Sequence, residues 1–298
     1  MPSDKRILHR TQEWLAAGFL VLAIGFGSYS VSDTFSGELN FIEVGWWNVR
    51  DLSTSSRSPD ELRVIAKIIK DSGVDVFAIG ELNDPEALRE ITQELGTSWE
   101  FADTGYKIGR TPNSSEYYGF IWDSDVVDIV GDVTIDPDPG DKIDRQPAYA
   151  TFSTNGGNFD FTVIAVHVTW GKRVADRKDE IKALAEVWNR VQAANLAEND
   201  LILVGDFNRN IGDDSFGDLM KISGVIRANQ DSGPTHISSK STYDQIFIST
   251  EFTKEWTGEF ETIRFDEKYF GDDEEANLVG SDHRPVYIRL FVSDKDDD

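Results

Sequence analysis

Leu201-Ile202-Leu203-Val204-Gly205-Asp206-Phe207-Asn208 is the stretch whose reading decides the fold. Four consecutive aliphatics with no polar member describe a strand buried on both faces, as in a sheet covered from each side. The run stops at Gly205 and delivers Asp206 and Asn208 with Phe207 between them. Residues two apart on a strand point to the same side, so carboxylate and carboxamide are expected to project together while Phe207 packs behind them. Ligands on α/β sheets gather at strand ends, which makes the pair a candidate site. A strand followed by an Asx turn is the simpler alternative.

Working outward, the same pattern recurs. Phe41–Trp47 reads as a strand that ends at Asn48, Val74–Ile79 as one with Glu81 two residues beyond, and Asn158–Val166 as one ending at His167. Asp244 lies just inside a strand from Tyr243 to Ile248, and Ser281-Asp282-His283 precedes another from Val286 to Phe291. Tyr117–Trp122 and Val126–Val130 read as a strand pair, with Pro147–Phe152 as a further strand. Helices alternate with these. Ser58-Pro59-Asp60-Glu61 is a capping box with proline in the first turn, followed by an apolar stripe at Leu62, Ile65, Ala66 and Ile69 that Gly73 ends. Asp84-Pro85-Glu86 opens a second helix closed by Gly96, and Ile181, Leu184, Trp188 and Val191 mark the buried face of a long third. One polar residue at a strand end is ordinarily a cap; five strands ended this way describe a site.

The 298 residues suffice for one large α/β domain or two small ones, and no linker long enough to divide the chain follows residue 33. An apolar fraction of 39% and eight tryptophans place the chain among globular proteins. It has no cysteine, so disulfides and thiolate metal sites are excluded. A metal would have to sit on oxygen or imidazole, which points to a hard cation: Mg2+ or Mn2+, with Ca2+ the third candidate. The formal charge of −25 offers no basic footprint for nucleic acid. Residues 1–32 carry Lys5, Arg6 and Arg10 ahead of an uncharged apolar run and then small residues, as in a signal peptide or an uncleaved membrane anchor. Residues 33–298 are then the functional domain, secreted, periplasmic or anchored facing outside the cytoplasm. The acidic end from Asp294 reads as a frayed tail.

Taken in order, Trp-Asn-Val-Arg (47–50), Ile-Gly-Glu-Leu (79–82), Glu-Tyr-Tyr-Gly-Phe (116–120) and Arg-Gln-Pro-Ala (145–148) are followed by four more segments. These are Val-Ile-Ala-Val-His (163–167), Gly-Asp-Phe-Asn (205–208), Tyr-Asp-Gln-Ile (243–246) and Ser-Asp-His-Arg-Pro-Val (281–286). The set resembles the endonuclease/exonuclease/phosphatase superfamily, within it the pancreatic deoxyribonuclease branch. The resemblance implies an α/β fold, a four-layer α/β/β/α sandwich of two mixed β-sheets. It implies a metal-dependent phosphodiesterase, most directly an endonuclease acting on DNA or RNA. A phospholipid or sphingomyelin phosphodiesterase, or a sugar-phosphate phosphatase, is the alternative on the same fold. Glu81 resembles the principal metal ligand, with Asp282 and Asn48 near the same ion. His283 with Asp244 resembles the base that activates water, and His167 with Glu116 the acid at the leaving oxygen. Which histidine is base and which acid stays open at the level of sequence. Asp206 resembles a group that orients the water or a second metal, and Asn208 one that bonds a phosphate oxygen. Arg145 and Arg110 resemble phosphate- and groove-contacting positions, and His236 reads as a surface residue of a polar loop. A nucleic-acid substrate is implied, with no protein partner, a monomer, and membrane contact only through an uncleaved N-terminus. The chain departs from the branch at Asn83, where an arginine is usual, at Ser114 or its neighbours, where a tyrosine is, and in lacking disulfides; these changes bear on the duplex-binding surface.

Overall fold

The computed structural model describes residues 40–292, apart from 157–158, 172, 196–197 and 230–232. The expected signal or anchor segment and the acidic tail from Asp294 lie outside the described residues. Two six-stranded sheets face one another. The first contains β1 (Asn40–Leu52), β2 (Val76–Leu82), β3 (Trp99–Asp103), β4 (Tyr117–Asp123), β11 (Trp256–Thr262) and β12 (Val286–Val292), in the order β11-β12-β1-β2-β4-β3. The second contains β5 (Val127–Ile135), β6 (Ala148–Thr154), β7 (Asp160–His167), β8 (Leu201–Asp206), β9 (Val225–Arg227) and β10 (Asp244–Ser249), in the order β5-β6-β7-β8-β10-β9. In each sheet one central pair is parallel, β1 with β2 and β7 with β8, and the remaining pairings are antiparallel.

The all-apolar strands are explained by layers on both of their faces. On β8, Ile202 and Val204 enter the core between the sheets, while Leu201 and Leu203 pack under α3 (Val174–Ala194) with Ile181, Leu184, Val187 and Trp188. On β1, Val44 and Trp46 face the second sheet, whereas Trp47 and Val49 face α1 (Pro59–Ser72) and α2 (Glu86–Leu95). The period of two thus sends alternate residues of one strand into two different cores. The result is the expected α/β/β/α sandwich. The capping box of α1 is formed in both directions, and Gly73 closes the helix with φ 73°.

One expected pairing is corrected. β4 and β5 do not form a pair: both edges of β4 are already taken by β2 and β3, so the chain turns at Ser124-Asp125 and β5 crosses to β6 in the other sheet. Strands β3, β9 and β11 and the short helices α4 (Phe265–Tyr269) and α5 (Asp273–Val279) are additions to the sequence reading. β3 and β11 are edge strands, with few fully buried residues and hence a weak apolar signal.

Candidate active site

The topology concentrates chemistry at one end. The C-terminal ends of both central parallel pairs carry Asn48, Glu81, His167 and Asp206. The antiparallel neighbours begin there, with Glu116 just before β4, Asp244 opening β10 and His283 three residues before β12. Register places Asp206 directly beside His167 on one side and Asp244 on the other. Close approach is built in. A Cβ on Gly205 would lie 2.1 Å from the Val166 carbonyl oxygen, and one on Gly80 would lie 2.4 Å from the Trp46 indole, so only glycine fits either strand end.

Two imidazoles face a common point. Nδ1 of His167 lies 2.9 and 3.1 Å from the Glu116 carboxylate oxygens, and Nδ1 of His283 lies 2.8 Å from Asp244 Oδ2. Both Nε2 atoms lie 3.6 Å from the same oxygen, Asp206 Oδ2. All five side chains are buried. Burial opposes the His283 cation, but Asp244 and then Asp206 outweigh it and push its pKa up to about 10. His167 is displaced the same way: burial and Arg145 oppose its cation, and Glu116 and Asp206 prevail. Glu116 is held below the usual carboxylate range, because His167 and Arg145 overcome the cost of its burial. A carboxylate on Nδ1 fixes ring angle and tautomer and leaves each Nε2 free for proton transfer at the centre.

The carboxylate partners are themselves held. The Trp46 indole N–H crosses between the sheets to Asp244 Oδ1 at 2.9 Å, and the Trp47 indole N–H donates to the His283 carbonyl at 2.8 Å. The Tyr118 hydroxyl accepts the His167 backbone N–H at 2.8 Å. The Ser281 hydroxyl donates to the Asn48 carbonyl at 2.6 Å and accepts the His283 N–H at 3.0 Å. The sequence reading missed the two tryptophans and Tyr118; their signal was the Trp-Trp pair directly before Asn48, whose members must point to opposite faces.

Asn48 joins the two sheets' acids, its amide donating to Glu81 Oε1 at 2.8 Å and to Asp206 Oδ2 at 3.3 Å. The Asp51 N–H adds 3.1 Å to Glu81 Oε2. Burial, with Glu116 nearby, raises the Glu81 pKa. Arg50, Asp51, Glu81 and Asn208 all adopt left-handed backbone, with φ of 40°, 50°, 56° and 49°. Non-glycine residues avoid this region unless the surroundings enforce it, and such strain concentrates at functional sites. β8 ends at Asp206, whose Oδ1 accepts the Asn208 N–H at 2.8 Å, the Asx turn that was the simpler alternative for the opening stretch. Phe207 packs behind on Phe216 and Phe247.

The expected ligand set for a cation divides. Glu81 and Asp206 meet through Asn48, whereas Asp282 lies beside His236 Nε2 at 3.8 Å. Among the described residues the three-member groups of acids and imidazoles are Asp206–Asp244–His283 and His236–Asp282–His283, with ligand atoms within 4.8 Å. The donors are hard oxygens and imidazole. The buried Asp206 and half-buried Glu81 carboxylates, resting on one amide rather than on a lysine or arginine, suit a divalent cation.

The arginines stand elsewhere than expected. Arg145 is buried and turned inward, donating to the carbonyls of His167 at 2.9 Å, Ser114 at 3.1 Å and Val168 at 3.2 Å. Its guanidinium clamps the end of β7 at His167 and Val168, so a direct phosphate contact would have to break that clamp. Arg110 turns to the backbone and carboxylate of Asp141 on the surface. Asn208 donates to the Val168 carbonyl at 2.9 Å, which leaves its second amide hydrogen for a ligand. Beside Asn83, where the related branch has arginine, Lys107 reaches in from another loop and donates to Asn83 Oδ1 at 3.3 Å. His236 is no free surface residue: its ring lies against His283, with centroids 4.8 Å apart.

Residues 45–283 match the Endonuclease/Exonuclease/phosphatase family. A deoxyribonuclease of Thioalkalivibrio sp. (strain K90mix) is 27% identical over 274 residues, covering 85% of this chain and 72% of that protein. Endonuclease/exonuclease/phosphatase family domain-containing protein 1 of Bos taurus is 23% identical over 290 residues, covering 86% of this chain; the chain spans about half (50%) of that relative. A mannosyl-6-phosphatase of Bacteroides thetaiotaomicron shares the fold with a TM-score of 0.55 at 17% identity, covering 83% of this chain and 98% of that one.

Proposed function

The chain belongs to the endonuclease/exonuclease/phosphatase family, and from that premise we propose that it is a metal-dependent phosphodiesterase, an exported endonuclease that hydrolyses DNA and, as a second substrate, RNA. The observation that carries the reading is the pair of carboxylate-held imidazoles whose Nε2 atoms both stand 3.6 Å from Asp206 Oδ2. A displacement at phosphorus needs one group to take a proton from water and another to give one to the leaving oxygen. His283, whose partner Asp244 shares no arginine, serves as the base. His167, whose cationic form Glu116 and Asp206 favour against its burial and Arg145, serves as the acid. Asp206 between them aligns the attacking water, and the spare amide hydrogen of Asn208 holds a phosphate oxygen. A Mg2+ or Mn2+ ion held by Glu81, Asn48, Asp206 and Asp282 would neutralise the scissile phosphate and favour the neutral, proton-accepting form of His283.

Two features support nucleic acid over a sugar phosphate or a lipid. The deoxyribonuclease relative aligns across 85% of the chain. Trp170, three residues beyond His167, is 76% exposed, although its loop is pinned by Asn208 and Arg145 on Val168 and by Glu180 on Thr169. An indole presented this way offers a stacking face for an unpaired base, which a chain of charge −25 needs in place of a basic groove. The deciding experiment assays the purified chain against plasmid DNA, single-stranded DNA, RNA, sphingomyelin and mannose 6-phosphate, with Mg2+ or Mn2+ and after exhaustive chelation. Cleavage of DNA that EDTA abolishes and either ion restores is expected. Turnover of the lipid or the sugar phosphate alone, or full activity after chelation, refutes the proposal.

A further inference from the structure

His236 stands outside both imidazole–carboxylate pairs, yet the backbone ties it to them. It forms an isolated antiparallel bridge with His283. The Ile237 N–H donates to the Asp282 carbonyl at 2.8 Å and the Arg284 N–H to the Thr235 carbonyl at 2.7 Å, so residues 235–237 lie as a short ribbon along 282–284. Thr235 Oγ1 also accepts the Asp244 N–H at 3.0 Å, joining the same ribbon to the partner of His283. The turn beyond closes on the ring, with the Ser239 N–H donating to His236 Nδ1 at 3.2 Å. An Nδ1 that accepts a backbone N–H carries no proton, so the neutral ring bears its hydrogen on Nε2. That Nε2 lies 3.8 Å from Asp282 Oδ2. The ring is wedged edge-on between His283, at 4.8 Å and 65°, and Tyr243, at 5.9 Å and 81°.

We propose that His236 is a positioning residue, its ring setting the plane of His283 and its Nε2–H turning the Asp282 carboxylate toward the cation. This rests on the reading of His283 and Asp282 as working groups. Contacts that orient a ligand from behind are worth about 10–100-fold in metal affinity or rate, and His236, Asp282 and His283 bring their ligand atoms within 4.8 Å of one another.

A structural role, in which the ring only closes its own turn, makes different predictions, and three substitutions separate them. His236→Asn keeps an acceptor for the Ser239 N–H but removes the ring and the Nε2–H. His236→Gln places an N–H near the former Nε2. His236→Ala removes everything. The full chain is titrated with Mn2+ by electron paramagnetic resonance without substrate, and kcat and KM are then measured on DNA. His236→Asn is expected to bind Mn2+ about 10-fold more weakly and to lower kcat with little change in KM, at an unchanged Tm. His236→Gln is expected to recover the Mn2+ affinity while kcat stays low, since no ring braces His283. A His236→Asn chain that matches the wild type in both measurements overturns the proposal, as does a loss in that variant that follows a lowered Tm. The Mn2+ titration needs no turnover, so a chain that proves inactive on DNA would refute the nuclease reading and leave this inference standing or falling on its own data.

Discussion

Asp206→Asn keeps the shape of the side chain at the centre of the site and removes its charge. Asp206 Oδ2 is 3.6 Å from Nε2 of both His167 and His283. At an effective dielectric constant of ~20, a unit charge pair at that distance interacts by about 4–5 kcal/mol, and twice that dielectric constant halves the figure. One pKa unit corresponds to ~1.4 kcal/mol, so each imidazole is expected to lose roughly 1.5–3.5 units of pKa. The direction is unambiguous, because an anion favours the imidazolium and its removal favours the neutral ring. His283, held up to about 10 by Asp244 and Asp206 against its burial, must fall toward neutrality. Asp244 remains in place, so the pKa should not collapse entirely. The assay is a pH titration of the histidine ring nitrogens by long-range 1H–15N correlation in the metal-free full chain, where four histidines give a readable spectrum. If both rings titrate within about 0.3 unit of the wild type, where a shift of at least one unit is expected, Asp206 does not share its charge with the two imidazoles and the convergent arrangement is wrong.

His167→Ala and His283→Ala should each lower kcat by at least ~100-fold, and the double substitution should be far less than multiplicatively worse if both serve one step; a single variant with near wild-type turnover removes that histidine from the mechanism. Trp46→Phe deletes the indole donor to buried Asp244, a hydrogen bond to a charged acceptor worth about 1.5–3 kcal/mol, and chemical denaturation should register a loss of that size; a change below about 0.5 kcal/mol would show that the bond is not made. Far from the site, Glu198 has its pKa pushed up to about 9, by burial first and then by Asp160 and Asp200, whereas the unfolded chain ionises near 4.5. The folded state therefore holds a proton that the unfolded state has released, so this group lowers stability as pH rises from ~4.5 to ~9. Glu198→Gln should raise Tm at pH 8 and leave it unchanged at pH 4.5, and equal Tm values at both pH values would contradict the shift. DNA cleavage should climb from very low to moderate salt before it falls, because screening shrinks from ~30 Å at 0.01 M to ~8 Å near 0.15 M and quiets the repulsion of a −25 chain; initial rates that only decline from the lowest salt would show local basic contacts to dominate.

The opening octapeptide was legible because its chemistry is local. An uninterrupted aliphatic strand requires cover on both faces wherever it lies, and β8 has α3 on one side and the other sheet on the other. Strand ends bearing Asn48, Glu81, His167 and Asp206 could be marked one by one for the same reason, and the capping box of α1 needed only four neighbouring residues. What no strand could reveal by itself was which ends meet. That β4 and β5 part company follows from competition for the edges of β4, a property of the whole sheet. Arg145 and His236 were misplaced because a long cation and a loop imidazole have the same local signature exposed or buried. Their positions depend on partners distant in the chain, the carbonyls of Ser114, His167 and Val168 in one case and the 282–284 segment in the other. The sharing of Asp206 between two imidazoles, and the Trp46 bond that crosses from one sheet to hold Asp244 in the other, arise only when two separately legible sheets pack face to face. Local patterning chose the elements and the residue types, and the burial of two sheets against each other decided the distances on which the chemistry depends.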